Sequence, residues 1–290
     1  MPFTRKIISV LSLFIIVSSE ISAQEYYSGW EYGGGVGMGH YFGDLNPNWG
    51  LKEPRVAASL VIKKNFNPYI SLSGTITYTK IGYKDSYAKN EFQQMRNLQF
   101  KSNIIEASVI SEFNFFWFET GKSDKKYTPF IALGVGAFYY EPLAYYSGKS
   151  YKLRELGTEG QKRSEYADRR YNNLGISFPV GAGFKWWIKP GWNLSFAILN
   201  RFTLNDYLDD VSKTYVGIEN FQNNSMAARE LQDRSILTNG DKIGYNGKKR
   251  GDTSTKDQFF TAQLTLTIQL RTYKCPNTES GLWKTSDVAY

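Results

Sequence analysis

Two stretches of this 290-residue chain alternate strictly between apolar and polar side chains. In residues 70–78 every even position is apolar, aromatic or glycine, and every odd position carries a hydroxyl group. A β-strand points successive side chains to opposite faces, so such a segment has one apolar face and one polar face. Residues 260–271 repeat the pattern. Repeated segments of this kind indicate a closed β-barrel with lipid outside and a polar lumen inside.

The alternation marks eight candidate strands in all. They span approximately residues 30–42, 55–64, 69–83, 103–118, 129–139, 176–188, 192–202 and 259–271. The connections at 65–68 and 189–191 have the Pro, Gly and Asn chemistry of tight turns, and 119–128 is of modest length. The other four connections are long: 43–54, 84–102, 141–174 and 203–257. We therefore predict an all-β fold, an eight-stranded antiparallel transmembrane barrel of the outer membrane with short periplasmic turns and long extracellular loops.

Aromatic residues cluster at the ends of the candidate strands, as at Trp30, Trp117 and Trp186. Such side chains favour the membrane interface, where the apolar ring and the polar tip are both satisfied. A soluble β-sandwich is the alternative fold, since its strands alternate too. It requires neither aromatic girdles nor two classes of loop length, so the barrel is preferred.

The N-terminal residues have the pattern of a secretory signal peptide. Arg5 and Lys6 form a positive region, residues 7–17 are a short apolar stretch, and residues 21–23 are a small-residue cleavage site. No later stretch has the ~18 consecutive apolar residues of a membrane-spanning helix, so any membrane crossing must use strands. The predicted organisation is a cleaved signal peptide over 1–23, a barrel over 24–272 and a periplasmic tail over 273–290.

Charge and cysteine content exclude some functions. The chain has 35 Lys and Arg residues against 27 Asp and Glu, a formal net charge of +8. The basic residues are interleaved with acids, so we expect no nucleic-acid partner, and anionic lipid headgroups are the expected counter-charge. Cys275 is the single cysteine, so it is either free or paired with another chain in an oxidising compartment.

Two features invite a catalytic or cofactor-binding interpretation that we do not favour. The glycines of residues 33–39 lack the spacing of a phosphate-binding loop, and they fall mostly on inward positions where a narrow barrel has little room. His40, the only histidine, falls on an outward position at a strand end. With one His, one Cys and no clustered ligands, we expect no metal, no cofactor and no enzyme activity.

Inward positions also carry charges of both signs. Charges removed from water need partners, so we predict an ion-pair network that fills the lumen, with an ion or proton path as the alternative. The members of this network are Glu31, Glu106, Glu112, Lys185, Arg201 and Arg271.

The long loop 203–257 is the best candidate for contact with a partner. Loops of this length in a compact domain are usually functional or disordered. The tail beyond the last strand is a second candidate, with a disordered terminus as the alternative. The predicted contact residues are Asp206, Tyr207, Asp209, Asp210, Cys275 and Trp283.

Several short strings of the chain are similar to those of one known family. They are Trp-Glu-Tyr-Gly-Gly-Gly-Val-Gly at 30–37, Tyr-Phe-Gly-Asp-Leu-Asn at 41–46, Gly-Ala-Gly-Phe-Lys at 181–185, Arg-Phe-Thr at 201–203, Asp-Tyr-Leu-Asp-Asp-Val-Ser at 206–212 and Arg-Gly-Asp at 250–252. With them the chain resembles, over essentially its whole mature length, the PorG-type outer-membrane β-barrel of the type IX secretion and gliding machinery.

The resemblance implies a non-enzymatic role with no small-molecule substrate. Proteins of this kind associate with a periplasmic ring formed by a lipoprotein and its partner subunit, and they support export of cargo that bears C-terminal sorting domains. They are not themselves the translocation pore. Two alternatives stay open: a ligand-binding or adhesion barrel that acts through its extracellular loops, and a surface lipid-modifying enzyme.

Overall fold

The computed structural model describes residues 29–121, 126–221, 225–235 and 241–270. Within these ranges the strands are β1 (Trp30–Phe42), β2 (Arg55–Asn65), β3 (Ile70–Lys84), β4 (Gln99–Asn114), β5 (Tyr127–Tyr146), β6 (Lys149–Lys152), β7 (Leu174–Lys189), β8 (Trp192–Thr203) and β9 (Gln258–Leu270). The α-helices of the described residues are short: α1 (Glu91–Arg96), α2 (Leu153–Leu156) and α3 (Met226–Gln232). Short 3-10 helices occupy Asp85–Tyr87, Ser164–Arg169 and Ile218–Phe221.

Eight of the strands close into an antiparallel barrel, which confirms the predicted fold class. The ring runs β1-β2-β3-β4-β5-β7-β8-β9, and β9 pairs back with β1. The β1–β9 seam is continuous, from Trp30 opposite Leu270 to Phe42 opposite Gln258. β6 pairs only with β5 and forms a hairpin outside the ring.

The bounds of two strands differ from the sequence prediction by four residues or more at one or both ends, whereas the other predicted strands agree within two residues. β4 begins at Gln99 and ends at Asn114, four residues earlier at each end than predicted. The apolar alternation continues past its end into the turn, so it does not mark where pairing stops. β5 is 20 residues long and continues to Tyr146, so its final residues belong to the β5–β6 hairpin and not to the predicted loop 141–174.

Burial follows the alternation that the sequence shows. Along β4 exposed and buried side chains alternate at nearly every position. The outward set is mainly apolar: Val36, Leu60, Ile76 and Leu133 are each at least half exposed. In water such a continuous apolar wall would be unfavourable, whereas in a bilayer it is the surface that faces lipid.

The short turns at one end of the barrel carry paired lysine and tryptophan side chains. The ammonium groups of Lys64, Lys126 and Lys189 lie 5.2, 5.5 and 4.5 Å from the ring centroids of Trp30, Trp187 and Trp192. Aromatic and basic side chains together are typical of a membrane–water interface. This end is the periplasmic one by the rule that periplasmic turns are short.

The long loops fold over the opposite, extracellular end and enclose the main apolar core. Tyr41, Phe100 and Phe259 from the strand ends pack with loop residues Leu208 and Leu231, and all five are almost fully buried. Folding of the chain therefore buries its largest apolar cluster above the membrane, where the loops meet the strand ends. We call the long loops that connect β1 to β2, β3 to β4, β6 to β7 and β8 to β9 the cap.

No helix within the described residues is long and apolar enough to cross a membrane. The predicted signal peptide 1–23 and tail 273–290 lie outside the described residues, and so do Arg271, Cys275 and Trp283.

Candidate functional site

The first layer of the lumen is a carboxylate between two lysines. Glu112 on β4 forms ion pairs with Lys185 of β7 and Lys63 of β2. Their ammonium nitrogens lie 2.6 and 2.8 Å from the same carboxylate oxygen, Oε2. Lys185 also donates to Asn114 Oδ1 at 2.9 Å. All three charged side chains are buried. The sequence prediction includes Glu112 and Lys185 but misses Lys63, which could have been found because it falls on the inward positions of β2.

A second ion pair lies closer to the cap. Arg201 Nε on β8 donates to Glu106 Oε2 on β4 at 3.0 Å, and Ser177 donates to the other carboxylate oxygen. The Arg201 guanidinium also donates to the carbonyl of Leu199 and to Thr261 Oγ1. Both side chains are 1% exposed or less, so water cannot stabilise their charges. Each charge is instead stabilised by the opposite charge of its partner.

Glu31 is held by neutral donors. Thr267 Oγ1 and Asn65 Nδ2 each donate to its carboxylate at 2.6 Å. Glu31 forms no ion pair with any residue that the structure describes. The predicted network is thus two separate ion-pair clusters and a hydrogen-bonded glutamate, and Arg271 is outside the described residues.

These side chains leave little free space in the lumen. A lumen cavity of about 50 Å³ is lined by Lys63, Glu112 and Arg201 together with hydroxyl-bearing and apolar side chains. A space of that size holds one or two water molecules. The barrel wall therefore encloses packed side chains rather than a channel for a solute.

The acidic stretch after β8 lies inside the cap. Tyr41 Oη is 2.6 Å from Asp209 Oδ2 and 2.8 Å from Asp257 Oδ1. Asp209 Oδ1 also accepts from the Val211 amide, and Asp257 Oδ2 accepts from the Leu208 amide. This cluster joins the end of β1, the start of the long loop and the residue before β9.

The three side chains of this cluster hold two protons, one on the phenol of Tyr41 and one on a carboxyl group. A phenol has one hydrogen and donates it to only one of the two carboxylates, so the other carboxyl oxygen must itself carry a proton to form its bond with Tyr41. Burial, together with the neighbouring carboxylates, raises the pKa of Asp209 and Asp257 well above the usual range. Burial also raises the pKa of Asp44 to about 7.

Two arginines connect the remaining cap loops. Arg250 donates to Glu159 Oε1 at 3.1 Å and to the Asp210 carbonyl at 2.6 Å. Arg96 of α1 donates to both oxygens of Asp85 at 2.7 Å. Burial raises the pKa of the Asp210 carboxyl to about 6, although Arg250 opposes this shift. Through its hydrogen bonds, Arg250 connects loop residues that lie 91 and 40 positions away from it in the sequence.

The placement of Asp206, Tyr207, Asp209 and Asp210 corrects their predicted role as contact residues. All four are less than a tenth exposed. Ser212 donates to Asp206, Tyr207 donates to Glu159 Oε2, and Thr158 and Tyr171 donate to Asp210. A surface for a partner must be accessible, and these side chains instead find their partners within the chain.

His40 is also placed differently from the prediction. His40 directly follows Gly39, the last residue of β1 that pairs with β2. At His40, therefore, β1 no longer has β2 as a neighbouring strand. The imidazole is fully buried and stacks near Phe42, Tyr83 and Phe260, at centroid distances of 5.4, 6.0 and 5.8 Å. Among the described residues, no group of three or more His, Cys, Asp or Glu side chains is arranged to hold a metal ion.

Several solved outer-membrane barrels are similar to this chain. Neisserial surface protein A is 11% identical with a TM-score of 0.40, and the match covers 84% of this chain and 98% of that one. Ail of Yersinia pestis, solved with the heparin analogue sucrose octasulfate, is 10% identical with a TM-score of 0.40, over 84% and 100%. The outer membrane enzyme PagL is 10% identical with a TM-score of 0.30, over 83% and 99%. No curated protein sequence matches the chain significantly.

A closed eight-stranded wall, apolar outside and filled with polar side chains inside, defines a small transmembrane β-barrel of the outer-membrane class. The assignment depends on the strand pairing and the apolar wall, since likeness at these TM-scores carries no argument about function. A family model matches residues 5–231. The chain belongs to that family, described as a domain of unknown function (DUF6089).

Proposed function

We propose that this protein is a non-enzymatic outer-membrane barrel of a type IX secretion system. It anchors the periplasmic ring, formed by a lipoprotein and its partner subunit, and thereby supports cargo export. The proposal begins from the resemblance of residues 30–46, 181–185 and 201–212 to PorG-type barrels. Export by the signal peptide and insertion of the apolar wall into the outer membrane belong to the same proposal.

The filled lumen is the observation that carries the proposal. Two buried ion-pair clusters and a cavity of about 50 Å³ leave no route for a protein cargo. A barrel that conducts nothing contributes to export through its faces and its fixed position in the membrane. The periplasmic face, with its short turns, is where a ring in the periplasm makes contact.

The non-enzymatic part is supported by the surroundings of His40. An imidazole that acts as a general base must reach its substrate. His40 is enclosed by aromatic rings, and its Nε2 has no hydrogen-bond partner among the described residues. This weighs against the lipid-modifying alternative.

The test is co-purification of the ring from detergent-solubilised membranes. A tagged chain that ends at Thr272 should insert normally but recover less of the ring and secrete less cargo than the full chain. The matched control replaces exposed cap residues, for example Lys162→Gln with Glu165→Gln, and should leave both readouts unchanged. Normal ring recovery and secretion by the truncated chain would remove the tail from the proposal, and failure of the full chain to recover any ring would overturn it.

A second candidate function, ligand binding or adhesion through the extracellular face, has one specific observation in its favour. A surface cavity of about 380 Å³ lies between loop 43–54 and α1, lined by Tyr83, Tyr87, Asn46 and Lys52. Aromatic and amide side chains in a concave site suit polar ligands. Loss of surface binding by cells carrying Asn48→Ala, at an exposed residue that lines the same cavity, with cargo export intact, would favour this function over the first.

A further inference from the structure

The extracellular end of the β3–β4 wall carries a group of lysines that face the membrane. Along β3 the outward positions change from Ile76 and Tyr78 to Lys80, and then to Lys84 at the strand end. On β4, Lys101 points outward and lies opposite Gly82 of β3. Gly82 is two residues along β3 from Lys80, which lies opposite Asn103. Lys80 and Lys101 are exposed, and Lys84 is partly exposed. We call Lys80, Lys84 and Lys101 the basic rim.

The basic rim lies directly above the aromatic level of the wall. Tyr78 is opposite Ile105, which is in turn opposite Tyr139, and both tyrosines are exposed on the outer surface. Interfacial tyrosines mark the depth at which hydrocarbon gives way to headgroups. The lysines are therefore at headgroup depth, in the leaflet on the cap side.

The positive charge of the rim is not neutralised by the described part of the chain. None of the three lysines has a carboxylate within ion-pairing distance there. Glu141, which lies opposite Asn103 on the neighbouring strand, is already paired with Lys152 at 3.0 Å. The ammonium groups of Lys84 and Lys101, which border one cavity at a lipid surface, attract an anion of high charge density.

The rim also has a concave part. Lys84 and Lys101 line a cavity of about 310 Å³ whose other walls include Leu143, Tyr145 and Ser150. A phosphate with an attached sugar is of a size to enter it, with its charge on the lysines and its ring against Tyr145. The apolar chains of such a lipid would lie along the wall below.

The other side of the barrel lacks this feature. At the extracellular ends of β7 and β8 the exposed outward side chains are Leu174, Phe202 and Leu204. The outward positions at these two strand ends are thus apolar, whereas those of β3 and β4 are basic. A general need for solubility at the strand ends would not produce that asymmetry.

We propose that the basic rim binds the phosphate of a phosphorylated glycolipid in the outer leaflet. The lysines supply the charge, and the cavity between the β3–β4 end and the β5–β6 hairpin supplies the shape. This inference is independent of the secretion role, because it concerns the lipid-facing wall and not the periplasmic face.

The test measures binding of diphosphoryl lipid A to the purified full-length barrel in neutral detergent micelles. The variant Lys80→Gln/Lys84→Gln/Lys101→Gln should bind roughly 100-fold more weakly, given about 1 kcal/mol for each of the three lysines near an anionic lipid surface. Dephosphorylated lipid A should bind the wild type no better than it binds the variant. The control Lys64→Gln/Lys126→Gln/Lys189→Gln removes equal charge at the periplasmic end and should bind lipid A as the wild type does.

Heat-modifiable migration on gels verifies that each variant is folded before binding is measured. Equal binding of lipid A by the rim variant and the wild type would overturn the proposal. Equal weakening in the periplasmic control would also overturn it, because the effect would then follow total charge. If inorganic phosphate at millimolar concentration displaces lipid A completely, the site recognises a free anion, and the lipid assignment is wrong.

Discussion

Replacement of Glu112 by alanine should be among the most destabilising single changes in the barrel wall. The carboxylate is the shared partner of Lys63 and Lys185, whose ammonium nitrogens can be no farther apart than the two short contacts combined. At a separation of ~5 Å and an effective dielectric constant of about 20, two positive charges repel by about 3 kcal/mol. Breaking a buried pair by removing one partner costs about 3–5 kcal/mol, so the free energy of unfolding should fall by that amount.

The assay is urea unfolding in detergent micelles, followed by tryptophan fluorescence and by the shift between folded and unfolded bands on gels. With a slope of about 2 kcal/mol per molar urea, the midpoint should fall by roughly 2 M. Glu112→Gln should lose less, because it keeps the shape and one acceptor. The surface control Glu155→Ala, which removes an exposed contact with Lys152, should change stability by no more than ~0.5 kcal/mol.

A second substitution tests the proposed cause. If repulsion between the two lysines is responsible, Lys185→Met in the Glu112→Ala background removes one of the two like charges. The double variant should then be more stable than Glu112→Ala alone, a coupling that a double-mutant cycle measures directly. A double variant no more stable than the single one would refute the electrostatic reasoning and leave only lost packing.

Three further predictions concern other parts of the molecule. Glu106→Ala leaves the buried Arg201 without its carboxylate and should cost about 3–5 kcal/mol in the same urea assay, whereas a cost below 1 kcal/mol would mean that water replaces the partner. Because burial raises the folded-state pKa of Asp257, the folded protein binds the extra proton, and cap stability should decrease as pH rises above about 4 towards the folded pKa. Asp257→Asn mimics the protonated acid and should flatten that decrease, as measured by limited proteolysis of the cap between pH 5 and 9. An unchanged pH dependence would count against a protonated carboxyl in this cluster. Gly33→Ala should lower the free energy of unfolding by ~1–3 kcal/mol, because the new methyl group would meet the Leu266 carbonyl. In Gly74→Ala the methyl group points into open space, so the stability should not change. Equal effects of the two substitutions on thermal unfolding would contradict this.

Local alternation was sufficient to predict the barrel. Period-two patterning determines which side of each strand faces lipid, and the tight-turn residues at 65–68 and 189–191 determine which strands are adjacent. The same alternation predicts which charged side chains point into the lumen, and it would have predicted Lys63 as well. The end of β4 was not, because apolar alternation continues through Phe115 and Trp117 after pairing with β5 has stopped.

The cap could not be predicted from local pattern. Tyr41 meets Asp209 and Asp257 across 168 and 216 residues of chain, and nothing in the acidic stretch itself shows that it will be buried. An acidic loop segment looks exposed until its partners are known. His40 was misplaced for a related reason: its parity is outward, but its burial depends on where β2 begins and on which aromatic side chains surround it.

The pairing of the first strand with the last has a consequence for biogenesis. A chain interrupted before Gln258 would present two free strand edges, on β1 and β8, to hydrocarbon that offers their peptide groups nothing to bind. No partial cylinder is therefore a stable product, and insertion is complete only when the C-terminal strand reaches the N-terminal one. In the cell, addition of the last strand therefore determines whether a molecule becomes a stable membrane protein or remains an incomplete one open to degradation.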